Sequence, residues 1–309
     1  MIEVTGLTRY YGHHAAVQDV SFNIENNQVV GFLGLNGAGK STTLKILAGL
    51  LLPSAGSVSI DGVDVVQAPD SLRASIGFLP EDAPLYTDMR VREFVVYCGQ
   101  LKGMSAEDAD ARVDEVLSRC DLSDRAHQVI DTLSHGYRKR VGIAQAIIHS
   151  PKLVILDEPI SGLDPVQIRE IRQVIVGLKK TCTVLISSHI LSEISQTCDR
   201  ILVLKNGILV ASGTEDELSA RLSGGGRLVL ELRGDADAIV ASIEAFDGAK
   251  SCTVQRTAGE VVTVQVVLTT DEREKLVQHV VAAGFGLRRL DDADGELEEI
   301  FLNIMESAS

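Results

Sequence analysis

Residues 34–41 are Gly-Leu-Asn-Gly-Ala-Gly-Lys-Ser, which has the G-x-x-x-x-G-K-[ST] spacing of a phosphate-binding loop. Residues 28–33 before this loop predict a short buried strand, and residues 43–51 after it predict a helix. Glycines let backbone N–H groups converge on phosphate oxygens, and the dipole of the helix N-terminus adds to the attraction. A glycine-rich turn without a ligand is the alternative, but the strand–loop–helix context favours a nucleotide site.

This loop assigns a role to two side chains in particular. Lys40 is placed to reach the β- and γ-phosphates, and the hydroxyl of Ser41 is placed to bind Mg²⁺. The loop residues predicted to contact the nucleotide are Asn36, Gly37, Ala38, Gly39, Lys40, Ser41 and Thr42.

Composition limits the other classes of function. The 309 residues carry a net charge of −14, which disfavours nucleic acid as a partner, because nucleic-acid binding needs a basic face. The basic run at residues 137–140 is a local exception, and the solvated face of a helix is the favoured interpretation of it. The sequence contains no apolar run of 18 residues and no signal-peptide pattern at its start, so we expect a cytoplasmic chain.

The pattern of elements predicts an α/β fold. Residues 2–24 alternate apolar and polar side chains, as antiparallel strands do, and residues 88–150 have the apolar spacing of a helical insertion. The apolar run at residues 153–156 is typical of a central parallel strand covered on both faces. Strands that alternate with helices then continue, so we expect one nucleotide-binding domain over residues 1–222.

A second, smaller domain is expected after a glycine-rich linker at residues 223–226. Residues 227–232, 261–268 and 286–290 predict strands, and residues 237–246, 271–283 and 296–305 predict helices. This order predicts a small α+β domain of ferredoxin-like type that ends in a terminal helix. No phosphate loop, metal-ligand spacing or nucleophile pattern is found in it. Three roles remain open for this domain: a ligand sensor, a regulator of the first domain, or an element that only stabilises a dimer or packs.

Two carboxylates and a histidine follow predicted strands. Asp157 ends the apolar strand, where a parallel sheet places ligand groups, and can hold Mg²⁺. Glu158 can polarise an attacking water, and His189, after the next strand, can bind the γ-phosphate and orient that water. The alternatives are solvated carboxylates at a turn and a structural histidine.

Two further segments carry weaker signals. Tyr11 lies at a predicted turn, where its ring can stack on adenine or simply pack against the sheet. Ser134 is a predicted N-cap, and with Gly136 it places a hydroxyl and bare amides at a helix N-terminus. Such a helix N-terminus can bind an anion, or Ser134 can simply cap the helix.

In this order and spacing, the motifs over about residues 1–218 resemble those of the ATP-binding subunit of ABC transporters, a P-loop NTPase family. Residues 34–41 resemble Walker A, residues 153–157 resemble Walker B, and residues 133–137 stand in the place of the LSGGQ signature. By this resemblance, Glu158 is the catalytic glutamate, His189 the switch histidine, Tyr11 the adenine-stacking aromatic, and Asp164 part of the D-loop.

Two departures from the family pattern point to a subfamily. Glu81 replaces the Q-loop glutamine, as a carboxylate that can still bind Mg²⁺, and the signature reads Ser-His-Gly-Tyr. These substitutions, and the acidic-aromatic tail at residues 297–301, are similar to bacterial exporters of the gliding-motility type.

The resemblance also implies cofactors and partners. They are ATP, Mg²⁺, a second copy in an ATP-dependent head-to-tail homodimer, and a separate polytopic permease that keeps the chain at the inner face of the cell membrane. The Glu81 loop and the helical insertion would face that permease. A soluble ATPase that acts on ribosomes or DNA is the competing hypothesis, and the single nucleotide cassette and the acidic charge disfavour it.

Overall fold

The computed structural model describes residues 1–218, 227–270 and 272–292, and it divides the chain into units Met1–Ser212 and Gly213–Ser309. The predicted linker at residues 223–226, the predicted helix at residues 296–305 and the acidic-aromatic tail lie outside the described residues.

The first unit contains the elements expected to build the nucleotide site. Its strands are β1 (Ile2–Tyr11), β2 (His14–Ile24), β3 (Val29–Leu33), β4 (Ala55–Ile60), β5 (Val63–Asp64), β6 (Ile76–Leu79), β7 (Leu153–Leu156), β8 (Thr183–Ser188), β9 (Arg200–Lys205) and β10 (Ile208–Gly213). Its helices are α1 (Lys40–Leu47), α2 (Pro69–Ser75), α3 (Val91–Leu101), α4 (Ala106–Arg119), α5 (His135–Ile147), α6 (Pro165–Leu178) and α7 (Leu191–Ser195).

A six-stranded sheet with the order β10-β9-β3-β8-β7-β6 forms the centre of this unit. Strands β6, β7, β8, β3 and β9 run parallel, and every residue of β3, β7 and β8 is buried. For β3 and β7 this burial confirms what the sequence predicted. Leu33 pairs with Ser188, and Leu156 pairs with Ile186. The carboxyl ends of β3, β7 and β8 therefore meet at one edge of the sheet.

An antiparallel sheet of order β2-β1-β4-β5 accompanies the parallel one, and the helical insertion lies between β6 and β7. In the insertion, α4 buries Ala109, Val113, Val116 and Leu117, which recur at helical spacing. The Ser105 hydroxyl caps α4 by accepting a hydrogen bond from the N–H of Asp108 at 3.0 Å. The predicted α/β fold with an antiparallel subdomain and a helical insertion is confirmed.

The basic run at residues 137–140 is not a solvated helix face, and that expectation is wrong. Lys139 is 5% exposed and Arg140 is 3% exposed. Arg140 pairs with Asp121 and Glu170, and the guanidinium groups of Arg125 and Arg140 each lie 5.1 Å from the Tyr137 ring centroid. These partners are remote in sequence, so helical spacing alone did not indicate the burial.

The second unit has the element order β11 (Arg227–Arg233), α8 (Ala236–Glu244), β12 (Ala249–Ala258), β13 (Val261–Leu268), α9 (Arg273–Ala282) and β14 (Gly286–Asp292). Its antiparallel sheet has the order β12-β13-β11-β14, which with this connectivity is the ferredoxin-like arrangement. Alternate residues of β11 and β13 pack against Ile239, Ile243, Leu276 and Val280 of the two helices. The small α+β domain is confirmed, and β12 is an addition to the predicted elements.

Candidate nucleotide site

The loop between β3 and α1 has the backbone that phosphate binding requires. Gly37 and Gly39 have φ values of 83° and 99°, a region that favours glycine. A Cβ atom on Gly39 would lie 2.5 Å from the carbonyl oxygen of Ala16, so no larger residue fits. Helix α1 begins directly after Gly39, and no side chain caps it. The N–H groups of its first turn therefore face the loop, where an anion can accept from them.

This loop forms one wall of a cleft of about 440 Å³, a volume typical of small-molecule sites. The residues that line the cleft are His14, Ala16, Leu35, Asn36, Gly37, Ala38, Gly39, Lys40, Ser41, Thr42, Glu81, Glu158, Ser161 and His189. The fold thus brings the predicted loop residues together with Glu81, Glu158 and His189. Leu35 lies within the predicted phosphate loop, and Ser161 lies within residues 161–164, which resemble the D-loop. His14 and Ala16 had no predicted role.

Lys40 folds back over the loop and is 5% exposed. Its Nζ donates a hydrogen bond to the carbonyl oxygen of Gly34 at 2.7 Å and lies 3.3 Å from Oε1 of Glu158. A buried ammonium at this position can exchange these contacts for phosphate oxygens, which are stronger charged partners.

Ser41 and Asp157 form the second feature of the site. The Ser41 hydroxyl donates to Oδ1 of Asp157 at 3.0 Å, and the Ser187 hydroxyl donates to the same oxygen at 2.6 Å. Hydroxyl and carboxylate oxygens, with Glu81 in the same cleft, are the ligand types that Mg²⁺ prefers. Among the described residues, no cluster of three acidic, histidine or cysteine side chains could hold a metal alone. The Ser41 hydroxyl and the Asp157 carboxylate are oxygen donors that fit Mg²⁺.

Glu158 and His189 form the third feature. Oε2 of Glu158 lies 3.1 Å from Nδ1 of His189, and Glu158 is 6% exposed. The Glu158 backbone has a φ of 48°, which is uncommon for a residue with a side chain, and its N–H donates to the Ser187 hydroxyl at 2.8 Å. The carboxylate therefore faces the cleft in a fixed orientation.

Tyr11 lies at the end of β1, and it is 48% exposed. The strand register places it opposite His14, which lines the cleft, while Tyr11 itself does not. The Arg9 guanidinium lies 5.1 Å from the Tyr11 ring centroid and so occupies one face of the ring.

Ser134, Gly136 and Asp164 do not line this cleft. The Ser134 hydroxyl caps α5 by accepting from the N–H of Tyr137 at 3.5 Å, and Asp164 caps α6 by accepting from Val166 and Gln167. Gly136 is buried beneath Gln167, because a Cβ atom there would lie 2.6 Å from Oε1 of Gln167. The N-terminal tip of α5 is therefore not part of the cleft of its own chain.

Fold and site together define an α/β ATPase of the P-loop class with a helical insertion. The ABC transporter family profile matches residues 17–161. The chain is 39% identical over 218 residues to the uncharacterized ABC transporter ATP-binding protein YxlF of Bacillus subtilis, covering 71% of this chain and 72% of YxlF. The chain therefore belongs to the ABC transporter family of ATP-binding proteins.

Two further relatives have names that state a role. The linearmycin resistance ATP-binding protein LnrL of Bacillus subtilis is 29% identical over 309 residues, with 98% of both chains covered. The bacitracin transport ATP-binding protein BcrA of Bacillus licheniformis is 36% identical over 223 residues, with 72% of both chains covered.

Solved structures of the family include two of the ATP-binding cassette MJ0796. One is a dimer, with a TM-score of 0.63, 29% identity and coverage of 69% of this chain and 98% of that one. The other is a dimer in a post-hydrolysis state bound to ADP and Pi, with a TM-score of 0.63, 28% identity and the same coverage of the two chains. The present chain is an ATPase of this family.

Proposed function

We propose that the chain binds and hydrolyses ATP in order to power a separate membrane permease, and that the transport is export. One observation carries this proposal: Ser134 and Gly136 at the N-terminal tip of α5, here called the signature tip, do not line the cleft that contains the phosphate loop of the same chain. A second copy would be needed to bring such a tip to the nucleotide. No helix in the described part of the chain has the length and hydropathy that a bilayer span requires. The membrane path of the transporter would then belong to another subunit.

Within one copy, residues 36–42 hold the phosphates, and Lys40 binds the β- and γ-phosphates. Ser41 and Asp157, assisted by Glu81, would hold Mg²⁺, which when bound neutralises phosphate charge. Tyr11 stacks on the adenine. Two observations support these roles. The cleft is lined by the phosphate loop together with Glu81, Glu158 and His189, and the Ser41 hydroxyl donates a hydrogen bond to Asp157.

Glu158 accepts a proton from the attacking water, and His189 orients that water and the γ-phosphate. Ser134, Gly136 and Asp164 act in trans, on the nucleotide of the second copy. Because the γ-phosphate then has partners on both copies, ATP closes the head-to-tail dimer and hydrolysis opens it. The dimer named for MJ0796 supports this arrangement.

We also propose that the transporter is an exporter of the gliding-motility type. The names of LnrL and BcrA, a resistance and a transport protein, favour a role in removing antibiotic-like compounds. Residues 1–222 would form the ATPase domain and residues 227–309 a domain of its own, at the inner face of the cell membrane. A net charge of −14 speaks against nucleic acid as a partner.

Purification of the tagged chain from detergent-solubilised cells of its host tests this proposal. We expect one polytopic membrane protein to copurify, and ATP hydrolysis to change when the two are reconstituted in vesicles. Copurification with ribosomes or DNA, and with no membrane protein, would contradict the proposal.

A further inference from the structure

The main chain of Glu158 needs support, because its left-handed φ of 48° is sparsely populated by residues other than glycine. Two side chains supply that support from opposite ends of the residue. The Ser187 hydroxyl accepts from the Glu158 N–H at 2.8 Å, and Nζ of Lys139 donates to the Glu158 carbonyl oxygen at 3.3 Å. The direction of the Glu158 carboxylate therefore depends on contacts outside the nucleotide loop.

Lys139 also holds a second segment of the site. Its Nζ donates to the carbonyl oxygen of Glu81 at 2.7 Å. A single buried ammonium thus joins the Glu81 loop after β6 to the Glu158 segment after β7. Lys139 itself lies in α5, five residues after Ser134, so it ties both segments to the helix that begins at the signature tip.

The positive charge of Lys139 lies near several negatively charged carboxylates. Burial lowers the pKa of Lys139, and the nearby carboxylates of Glu81, Asp82, Asp157 and Glu158 oppose that shift. The ammonium therefore offsets negative charge at an edge of the sheet that must also receive a triphosphate.

We propose that Lys139 is a positioning residue for hydrolysis, which holds the main chain of Glu158 and the Glu81 loop in the geometry that aims the Glu158 carboxylate at the attacking water. This inference rests on the proposed role of Glu158 as the general base. A purely structural lysine would stabilise α5 against the sheet without affecting turnover by the folded protein.

The test compares Lys139→Met, which keeps the length of the side chain and removes its donors, with Lys152→Met. Lys152 has an 80% exposed side chain and serves as the matched control. We expect kcat of Lys139→Met to fall by about tenfold to a hundredfold, because a catalytic group displaced by about 1 Å loses that much. We also expect ATP affinity within about twofold of the wild type, since the hydrogen bonds of the Lys139 ammonium go to the main chain of Glu81 and Glu158 and not to the phosphate loop.

Two further variants make the outcome decisive. Introduced into a Glu158→Gln background, Lys139→Met should leave ATP-dependent dimer formation intact, which separates positioning of the base from damage to the signature tip. Should Lys139→Met fail to fold, Lys139→Gln keeps one short donor and removes the charge, and its kcat should also fall at unchanged ATP affinity.

The inference is overturned if folded Lys139→Met or Lys139→Gln has the kcat of the wild type, or if only the melting temperature changes. Glu158→Gln alone separates this result from a failure of the proposed function. Loss of hydrolysis in Glu158→Gln with normal kcat in the Lys139 variants removes only the role of Lys139. Normal hydrolysis in Glu158→Gln removes the role of Glu158 and the inference with it.

Discussion

Nδ1 of His189 lies 3.1 Å from Oε2 of Glu158, and the other oxygen of that carboxylate lies 3.3 Å from Nζ of Lys40. The carboxylate is thus held between the phosphate loop and the end of β8. We expect bound triphosphate to draw Lys40 toward its oxygens, because phosphate offers a stronger charge. Glu158 would then keep His189 as its partner and face the water.

Lys40→Ala should weaken ATP binding by about tenfold to a hundredfold, which corresponds to the loss of one or more hydrogen bonds to a charged group. Titration calorimetry measures the change. Lys45→Ala, on the same helix with an exposed side chain, is the matched control and should bind ATP as the wild type does. Equal affinity for the two variants would contradict the role given to Lys40.

Tyr11→Ala should raise the Kd for ATP, because stacking of one base on an aromatic ring contributes about 1–3 kcal/mol. Tyr11→Phe keeps the ring, and also its contact with the Arg9 guanidinium, so its Kd should stay near that of the wild type. Binding of a fluorescent ATP analogue measures both values. If Tyr11→Ala binds as tightly as Tyr11→Phe, the ring does not contact the base.

His149 should make the fold sensitive to acid. Burial lowers the pKa of His149 from 6.5 to about 4, so the unfolded chain binds this proton more tightly than the folded one. The contribution is complete above pH 6.5 and is lost as the pH falls from 6.5 toward 4. The melting temperature of His149→Gln should therefore fall less over this range than that of the wild type. Replacement of the exposed His13 by Gln should leave the dependence unchanged, and identical curves for all three proteins would be evidence against the assignment.

Gly77→Ala should destabilise the first unit by about 1–3 kcal/mol, because overpacking forces the backbone to shift. The new Cβ atom would lie 2.0 Å from the carbonyl oxygen of Ala146 in α5. Gly177→Ala in α6 meets open space and should be neutral or stabilising, as alanine favours helix more than glycine does. Urea denaturation measures both, and equal midpoints would show that α5 adjusts without cost.

The parts of the fold that sequence predicted are those fixed by short-range patterns. The spacing of the glycines predicted the position of the phosphate loop, and the apolar run at residues 153–156 predicted that β7 is buried. Helix α1 begins at Lys40 and ends at Leu47, whereas the sequence predicted residues 43–51, because the loop geometry rather than apolar periodicity sets where the helix begins. Strand β12 was missed because it is an exposed edge strand with polar residues at most positions.

The parts of the site that sequence missed depend on contacts between distant residues. Ser187 bridges Asp157 and Glu158 from the neighbouring strand, and only its position at the end of β8 hinted at this. Lys139 was predicted to be solvated because nothing in residues 137–140 indicates that its ammonium donates hydrogen bonds to the carbonyl oxygens of Glu81 and Glu158. Burial of a charged group is decided by its tertiary partners.

The central claim is that two copies complete each nucleotide site, and Glu158→Gln tests it most directly. The substitution should preserve ATP binding and stop hydrolysis, so that analytical ultracentrifugation with ATP and Mg²⁺ detects a stable dimer. Ser134→Arg in the same background should abolish that dimer by placing a bulky side chain at the tip of α5. A Glu158→Gln protein that remains monomeric at saturating ATP, or a dimer unaffected by Ser134→Arg, would contradict the account.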